Sequence, residues 1–262
     1  MGDYRFLLAL LMCQTARAYG YPVIVVDGSP DHARACELLF AAGATQVIQQ
    51  TEPGTGASRR QCIKACLDAI QTANLLDIAG FAHAHGEFSD IQVIAWIEPE
   101  KVGMVAVLAP CIAMIVAGYD IIIPWRNHFF APNQYPPYQA LSEARANAEM
   151  AEITGLNLDW MIGPHIMSRR AAELMMSYRG QSRIDPNVKY DDNWGILFIP
   201  MLWALQDGMK VGSCPVDYAH PAIQAAIEVG EKWDEKRDVQ RTALVAAMRQ
   251  EAELIGLKRA AA

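Results

Sequence analysis

Short apolar segments alternate along the chain with longer segments in which apolar residues recur at helical spacing. The short segments, residues 21–26, 45–49, 91–97, 119–124 and 210–216, have the length and composition of buried strands. The longer ones predict helices over 4–19, 32–42, 60–73, 101–117, 141–154 and 194–206. Because strands and helices alternate, the pattern favours an α/β fold with parallel pairing.

The strand over 91–97 ends abruptly in two carboxylates, Glu98 and Glu100, with Pro99 between them. Ligands of open α/β sheets bind at the carboxyl ends of strands, and paired carboxylates suit a divalent cation that carries phosphate oxygens. The same three residues also suit a helix start, with proline in the first turn and an acid near the positive end of the helix dipole. The sequence leaves both interpretations open.

A glycine-containing turn, QTEPGTGASRR, occupies residues 50–60 and leads into a predicted helix. Gly54 and Gly56 allow a ligand to approach the backbone closely, and Arg59 and Arg60 place two positive charges beside the turn. A turn that feeds a helix N-terminus suits a pyrophosphate. The alternative is an ordinary turn with solvated arginines.

Two further polar groups stand out near the ends of predicted elements. Asp191 and Asp192 precede the helix over 194–206, where acids are stabilised by the helix dipole and where one carboxylate could also serve as a general base. His220 follows the last strand, and an isolated histidine is usually structural. Residues 222–262 have the pattern of a charged amphipathic helical tail.

Composition narrows the class of protein. With 52% hydrophobic and 19% charged residues, the chain is expected to be globular. A net charge of −7 without a basic stripe argues against a nucleic-acid binder. We find no uninterrupted apolar run of about 18 residues, so no integral membrane segment is expected. Six scattered cysteines do not form a disulfide framework, which favours a reducing, cytoplasmic location.

Taken in order, several motifs resemble those of glycosyltransferases with the GT-A fold. They are VIVVDGSP, the glycine turn with its arginines, the strand ending in paired acids, DIIIPWR and the Asp-Asp pair before a helix. The chain most resembles family 2 and its nucleotide-diphospho-sugar transferase relatives. The resemblance implies a single-domain α/β protein with a Rossmann-like, mostly parallel sheet flanked by helices over residues 1–221. Residues 222–262 carry none of the resemblance, and their pattern predicts a C-terminal helical extension of the same domain.

The resemblance implies a sugar transfer from a nucleoside-diphosphate-sugar donor to an acceptor hydroxyl. It assigns Asp27 and its neighbour Gly28 to the nucleotide base or ribose. It assigns the turn residues to the rest of the nucleotide, and these are Glu52, Gly54, Gly56, Arg59 and Arg60. The donor sugar, the acceptor and the presence of a homo-oligomer are left open.

The family's Asp-x-Asp signature corresponds here to Glu98 and Glu100, which implies a bound Mg²⁺ or Mn²⁺ that His220 would complete. Asp191 and Asp192 fall at the family's acidic pair, so Asp192 is the expected base for the acceptor hydroxyl. Two departures bear on this expectation. Glutamates replace aspartates around a proline, and the chain starts in the helix that follows the family's usual first strand, which would be central in the sheet.

Two alternatives follow from these departures. The first is a protein of the same fold that binds a nucleotide sugar or a partner without catalysis. The second is a sugar nucleotidyltransferase, which would carry a glycine-rich loop with a basic residue after its first strand. The sequence contains no such loop.

Overall fold

The computed structural model describes residues 4–76, 93–131 and 134–257. Within these ranges the chain forms nine α-helices, two short 3₁₀ segments and six strands. The helices are α1 Tyr4–Ala18, α2 His32–Ala42, α3 Thr55–Leu76, α4 Leu108–Val116, α5 Pro137–Thr154, α6 Arg169–Ser177, α7 Asp192–Gln206, α8 Ala222–Ile227 and α9 Glu231–Leu254. The 3₁₀ segments are Pro99–Val107 and Trp160–Ile162. The protein is therefore mixed α/β, as predicted.

The described strands form two separate sheets. The strands are β1 Ile24–Asp27, β2 Gln46–Gln49, β3 Val93–Trp96, β4 Ile121–Arg126, β5 His165–Ser168 and β6 Val211–Val216. The first two pair in parallel as a two-stranded sheet, and the others form a four-stranded sheet in the order β3-β5-β4-β6. Among the described residues, no ladder joins β1 to β3.

The predicted mostly parallel sheet is not found, because β5 lies antiparallel to both of its neighbours. Only β4 and β6 pair in parallel in the larger sheet. The sequence pattern predicts a short strand or turn over 160–164 and then a helix through residue 178. The structure instead gives a buried four-residue strand before α6, which begins after the capping Ser168. The run HIMS is too short to show any periodicity of its own.

The main hydrophobic core lies between the four-stranded sheet and the helices that pack on it. The centre of α7 is buried on all sides over residues 195–204, as expected of a helix without a polar face. A second, smaller core lies beneath α2 and consists of Cys13, Ala35, Leu39, Ala42 and Ala44. The two-stranded sheet thus belongs to a layer with a core of its own.

Residues Pro99–Val116 are long and apolar enough to cross a membrane, judged by length and composition only. The helices of a protein core pass the same test, so this observation is weak evidence. In the structure the segment is divided into the 3₁₀ segment and α4. Three residues of α4, Leu108, Cys111 and Ile115, are buried in the main core.

A buried ionic network joins the end of β4 to α5. Arg126 donates to Asp159 from Nε and Nη2, at 2.5 and 2.6 Å, and from Nη1 to Glu143 at 2.8 Å. All three residues are at most 5% exposed. Burial lowers the pKa of Arg126, but the two acids outweigh that effect and the pKa is raised. The network holds α5 against the sheet edge.

The C-terminal tail is helical, as predicted, and it packs on the body of the protein. Helix α9 lies against α5 and α7, with Leu244, Val245 and Met248 in the main core. Tyr4 and Arg5 of α1 bond to Glu228 at the end of α8. These contacts bring the tail beside the 3₁₀ segment that carries Glu100.

Candidate functional site

The first turns of α3 and α7 meet beside the end of β3. The backbone N–H and the hydroxyl of Thr55 donate to Oδ1 of Asn193, at 3.0 and 2.9 Å. A Cβ on Gly56 would lie 2.3 Å from the carbonyl oxygen of Asp192, so only glycine permits this approach. The predicted glycine turn is therefore a packing site for α7, and α3 starts at Thr55 rather than at residue 60.

Arg59 lies at the centre of this junction and is 7% exposed. Its guanidinium lies between the rings of Trp96 and Trp194, at 4.7 and 5.0 Å from their centroids. It donates to the carbonyl oxygen of Asn193 and to Glu98 at 3.4 Å. Burial lowers its pKa, and the four predicted carboxylates, Glu98, Asp191, Glu100 and Asp192, oppose that effect. All four thus lie close enough to act on one guanidinium.

Arg60 forms a two-pronged ion pair with Asp192, at 2.5 and 2.8 Å. Hydrogen bonding to Asp192 raises the pKa of Arg60. Asp191 instead caps α7, since its carboxylate accepts from the backbone N–H groups of Asn193 and Trp194 at 3.1 Å each. The helix-start interpretation is thus confirmed for Asp191, while Asp192 faces α3.

Glu98 precedes the 3₁₀ segment, and Pro99 occupies its first position, as the helix-start interpretation expected. Burial raises the pKa of Glu98, against the opposing charges of Lys101 and Arg59. Glu100 pairs with Arg5 at 3.0 Å. Each acid of the predicted metal pair therefore already has a basic partner.

Lys101 was not singled out from the sequence, although it is the one charge that precedes a long apolar run. Its ammonium lies 5.7 Å from the ring centroid of Tyr218 and 6.0 Å from that of Tyr135. Burial lowers its pKa, but Tyr135, Tyr218 and Glu98 outweigh burial and the pKa is raised. A buried cation therefore stands beside Glu98.

The predicted metal ligand His220 is stacked on Tyr135, with 4.3 Å between ring centroids. Burial lowers its pKa to about 3, so the imidazole is neutral at physiological pH. Within the described ranges, no three His, Cys, Asp or Glu side chains are gathered to hold a metal ion. The acidic pair, already matched by Arg5, Arg59 and Lys101, does not fit a divalent cation. In the sequence, His83 and His85 are spaced so that both could ligate a metal from one strand, but they lie outside the described residues.

The predicted nucleotide-binding residues Asp27 and Gly28, at the end of β1, contact residues that are near them in the sequence or directly after β2. The Asp27 carboxylate accepts from the backbone N–H and hydroxyl of Ser29 and bonds to Nδ1 of His32 at 2.7 Å. A Cβ on Gly28 would lie 2.6 Å from the amide oxygen of Gln50. That same amide donates to the carbonyl oxygens of Glu52 and Gly54. The structure does not bring these side chains into the Arg59 cluster.

A cavity of about 180 Å³ opens beside the cluster. Its walls come from the 3₁₀ segment, α5, the first turns of α7, and the tail helices α8 and α9. Glu98, Glu100 and Lys101 line one side, and Gln139, Gln224 and Arg241 line another. The sequence analysis missed the last three, because a lone polar residue on an amphipathic helix carries no signal of its own.

Comparison of the chain with family models, with curated proteins and with solved structures finds no match.

Proposed function

We propose that this protein is a GT-A-type glycosyltransferase that moves a sugar from a nucleoside-diphosphate donor to an acceptor hydroxyl. The observation that carries the proposal is that two predicted acids meet adjacent arginines of α3: Glu98 pairs with Arg59 at 3.4 Å, and Asp192 pairs with Arg60 at 2.5 Å. The two acids lie more than 90 positions apart in the sequence. The neighbouring cavity supports the same site, since ligands bind in concave sites with a few convergent polar groups.

In this proposal Arg60 is the first group to meet the diphosphate. Arginine matches phosphate oxygens in a two-pronged geometry, so a diphosphate would compete with Asp192 for the Arg60 guanidinium. Its arrival would leave Asp192 without its partner and more basic. Donor binding would therefore prepare the base.

The chemical step then needs only groups already named. The acceptor oxygen forms a bond to the anomeric carbon as the bond from that carbon to the diphosphate oxygen breaks. The diphosphate leaves with the electron pair, and Asp192 takes the acceptor proton. Arg60 and the N-terminus of α3 stabilise the charge that grows on the leaving group.

No step is routed through a metal ion. A dication at Glu98 and Glu100 would lie among Arg5, Arg59 and Lys101, and its repulsion from these cations opposes binding. The requirement for Mg²⁺ or Mn²⁺ stays a prediction from the resemblance.

The test is calorimetry with UDP, GDP and their sugar conjugates, with and without Mn²⁺. Asp192→Asn is expected to bind the nucleoside diphosphate more tightly than the unaltered protein, because Arg60 is released, and to lose transfer. Asp191→Asn is the matched control, since asparagine caps helices as well as aspartate does. It should leave the affinity unchanged.

Binding without transfer in the unaltered protein would instead favour a non-catalytic nucleotide-sugar binder. The ion pair that occupies Asp192 is the observation in favour of that second candidate. Absence of binding by every nucleotide in the panel would refute both.

A further inference from the structure

Three residues that line the cavity between the first 3₁₀ segment and the tail helices carry buried polar atoms without partners in the described part of the chain. The amide oxygens of Gln139 and Gln224 are buried and have no hydrogen-bond partner among the described residues. The two residues are 6% and 7% exposed. Nη1 of Arg241 is likewise buried without a partner. A buried donor or acceptor without a hydrogen bond costs about 1–3 kcal/mol of stability. We therefore expect a bound ligand with both hydrogen-bond donors and hydrogen-bond acceptors here.

The side chains around the cavity carry nearly equal numbers of positive and negative charges. Of the described residues that line it, five are basic and four are acidic. Most of them pair with each other: Arg5 with Glu100 at 3.0 Å, Arg237 with Glu228 at 3.1 Å, and Arg241 with Glu143 at 3.0 Å. A diphosphate needs cations that are not already matched. This cavity therefore suits an uncharged ligand.

The size of the cavity and its aromatic lining further restrict the class of ligand. A volume of about 180 Å³ is smaller than the roughly 300–1,000 Å³ of pockets for drug-sized ligands, and corresponds to about six waters at roughly 30 Å³ each. Trp194 and Trp233 line the cavity with flat apolar surface. A ligand whose ring has an apolar face and hydroxyl groups around its edge would fit such a lining.

We infer that this cavity binds one uncharged sugar ring, and that the C-terminal tail supplies part of its wall. Two hydroxyl groups donate to the amide oxygens of Gln139 and Gln224, and a ring or hydroxyl oxygen accepts from Nη1 of Arg241. The inference rests on the proposed function only in taking this sugar as the acceptor, because α7, which begins at Asp192, forms part of the cavity wall.

The experiment uses the full chain and the methyl glycosides of D-glucose, D-galactose and D-mannose. Binding is followed by calorimetry and by the fluorescence of Trp194 and Trp233, with inorganic pyrophosphate as the anionic comparison. At least one glycoside is expected to bind saturably, and Gln139→Leu and Gln224→Leu are expected to weaken it at least tenfold. Gln250→Leu changes an exposed residue of the tail helix α9 that does not line the cavity, so it is the control and should leave binding unchanged.

Thermal unfolding shows whether the Gln224 amide serves ligand binding or the stability of the fold. Without sugar, Gln224→Leu should unfold at the same temperature as the unaltered protein or a higher one, since it deletes an unmet acceptor. A merely structural amide would lower that temperature. If Gln139→Leu does not fold, Gln224→Leu carries the test alone.

The inference is overturned if no glycoside binds, so that water alone fills the cavity, or if glycoside binding is indifferent to both glutamine changes. Pyrophosphate binding that depends on Gln139 would overturn it as well. These outcomes are separate from the fate of the proposed function. Glutamine-dependent glycoside binding without nucleotide binding would uphold the cavity and refute sugar transfer, and nucleotide-dependent transfer without the glutamine effect would do the reverse.

Discussion

Replacement of Arg59 by methionine tests whether this guanidinium holds the acidic cluster together. Methionine keeps a flexible apolar side chain between the two tryptophan rings, so the main loss is charge. Loss of one partner of a buried ion pair costs about 3–5 kcal/mol. Because Glu98 keeps Lys101 as a second cation, we expect the lower end, about 3 kcal/mol of unfolding free energy at pH 8.

The unfolding free energy lost in Arg59→Met should increase with pH. Burial raises the folded pKa of Glu98 above its unfolded value of about 4.3, and the removal of Arg59 raises it further. A group with a raised folded pKa contributes its stability below the unfolded pKa and loses it as pH rises through the folded pKa. The gap between the variant and the unaltered protein should therefore be small near pH 4 and widest near pH 8.

Urea unfolding at pH 4, 6 and 8, followed by tryptophan fluorescence, measures this gap. Arg60→Met is the control, and it should cost no more than about 1 kcal/mol because its partner Asp192 is 36% exposed. Adding Glu98→Gln to Arg59→Met should restore most of the lost stability. A gap that is constant with pH, or a double variant no more stable than Arg59→Met, would refute the reasoning.

Three other outcomes are expected from contacts at Gly163, His165 and Arg126. Gly163→Ala should destabilise the protein more than Gly118→Ala. The two share φ near +98°, but only at Gly163 would the methyl meet a carboxylate oxygen of Glu98, which must then shift at the expense of its contact with Arg59; equal urea midpoints would contradict this. His165→Phe should flatten the acid limb of the stability profile. Burial lowers the folded pKa of His165 to about 4, so the unfolded chain binds the proton first and the unaltered protein loses stability as pH falls from 6.5 to 4; an unchanged slope in the variant would show that another group is responsible. Arg126→Met should cost about 3–5 kcal/mol because the buried Asp159 loses its basic partner and Glu143 keeps only Arg241; a loss below about 1 kcal/mol would count against the network.

Local signals in the sequence identified most helices and the acidic residues of the site. The cap at Asp191 and the proline start after Glu98 depend on neighbours within three residues, so they can be read from the chain. Strand β5 could not be found, because the four residues HIMS followed by two arginines match a helix start equally well. The antiparallel direction of β5 depends on the end of the sheet from which the chain enters this strand, and the sequence carries no local signal for that.

The contacts of side chains were harder to predict from the sequence than the positions of helices and strands. The sequence indicated that Asp27 ends a strand but not that Ser29 and His32 would take its carboxylate. The pairing of Arg60 with Asp192 spans 132 positions and depends on tertiary packing alone. Likewise, nothing in the amphipathic pattern of the tail distinguishes Gln224, which lines the cavity, from its exposed neighbours.

The small core beneath α2 has a consequence for local opening. With only five buried residues, the layer that carries β1 and β2 has little apolar burial to hold it closed. Such regions open at free energies below that of global unfolding, so amide hydrogens of this layer should exchange before those of β4. A ligand that joined the Asp27 loop to the rest of the protein would slow this exchange by mass action. Amide protection of β1 would then report on occupancy of the site.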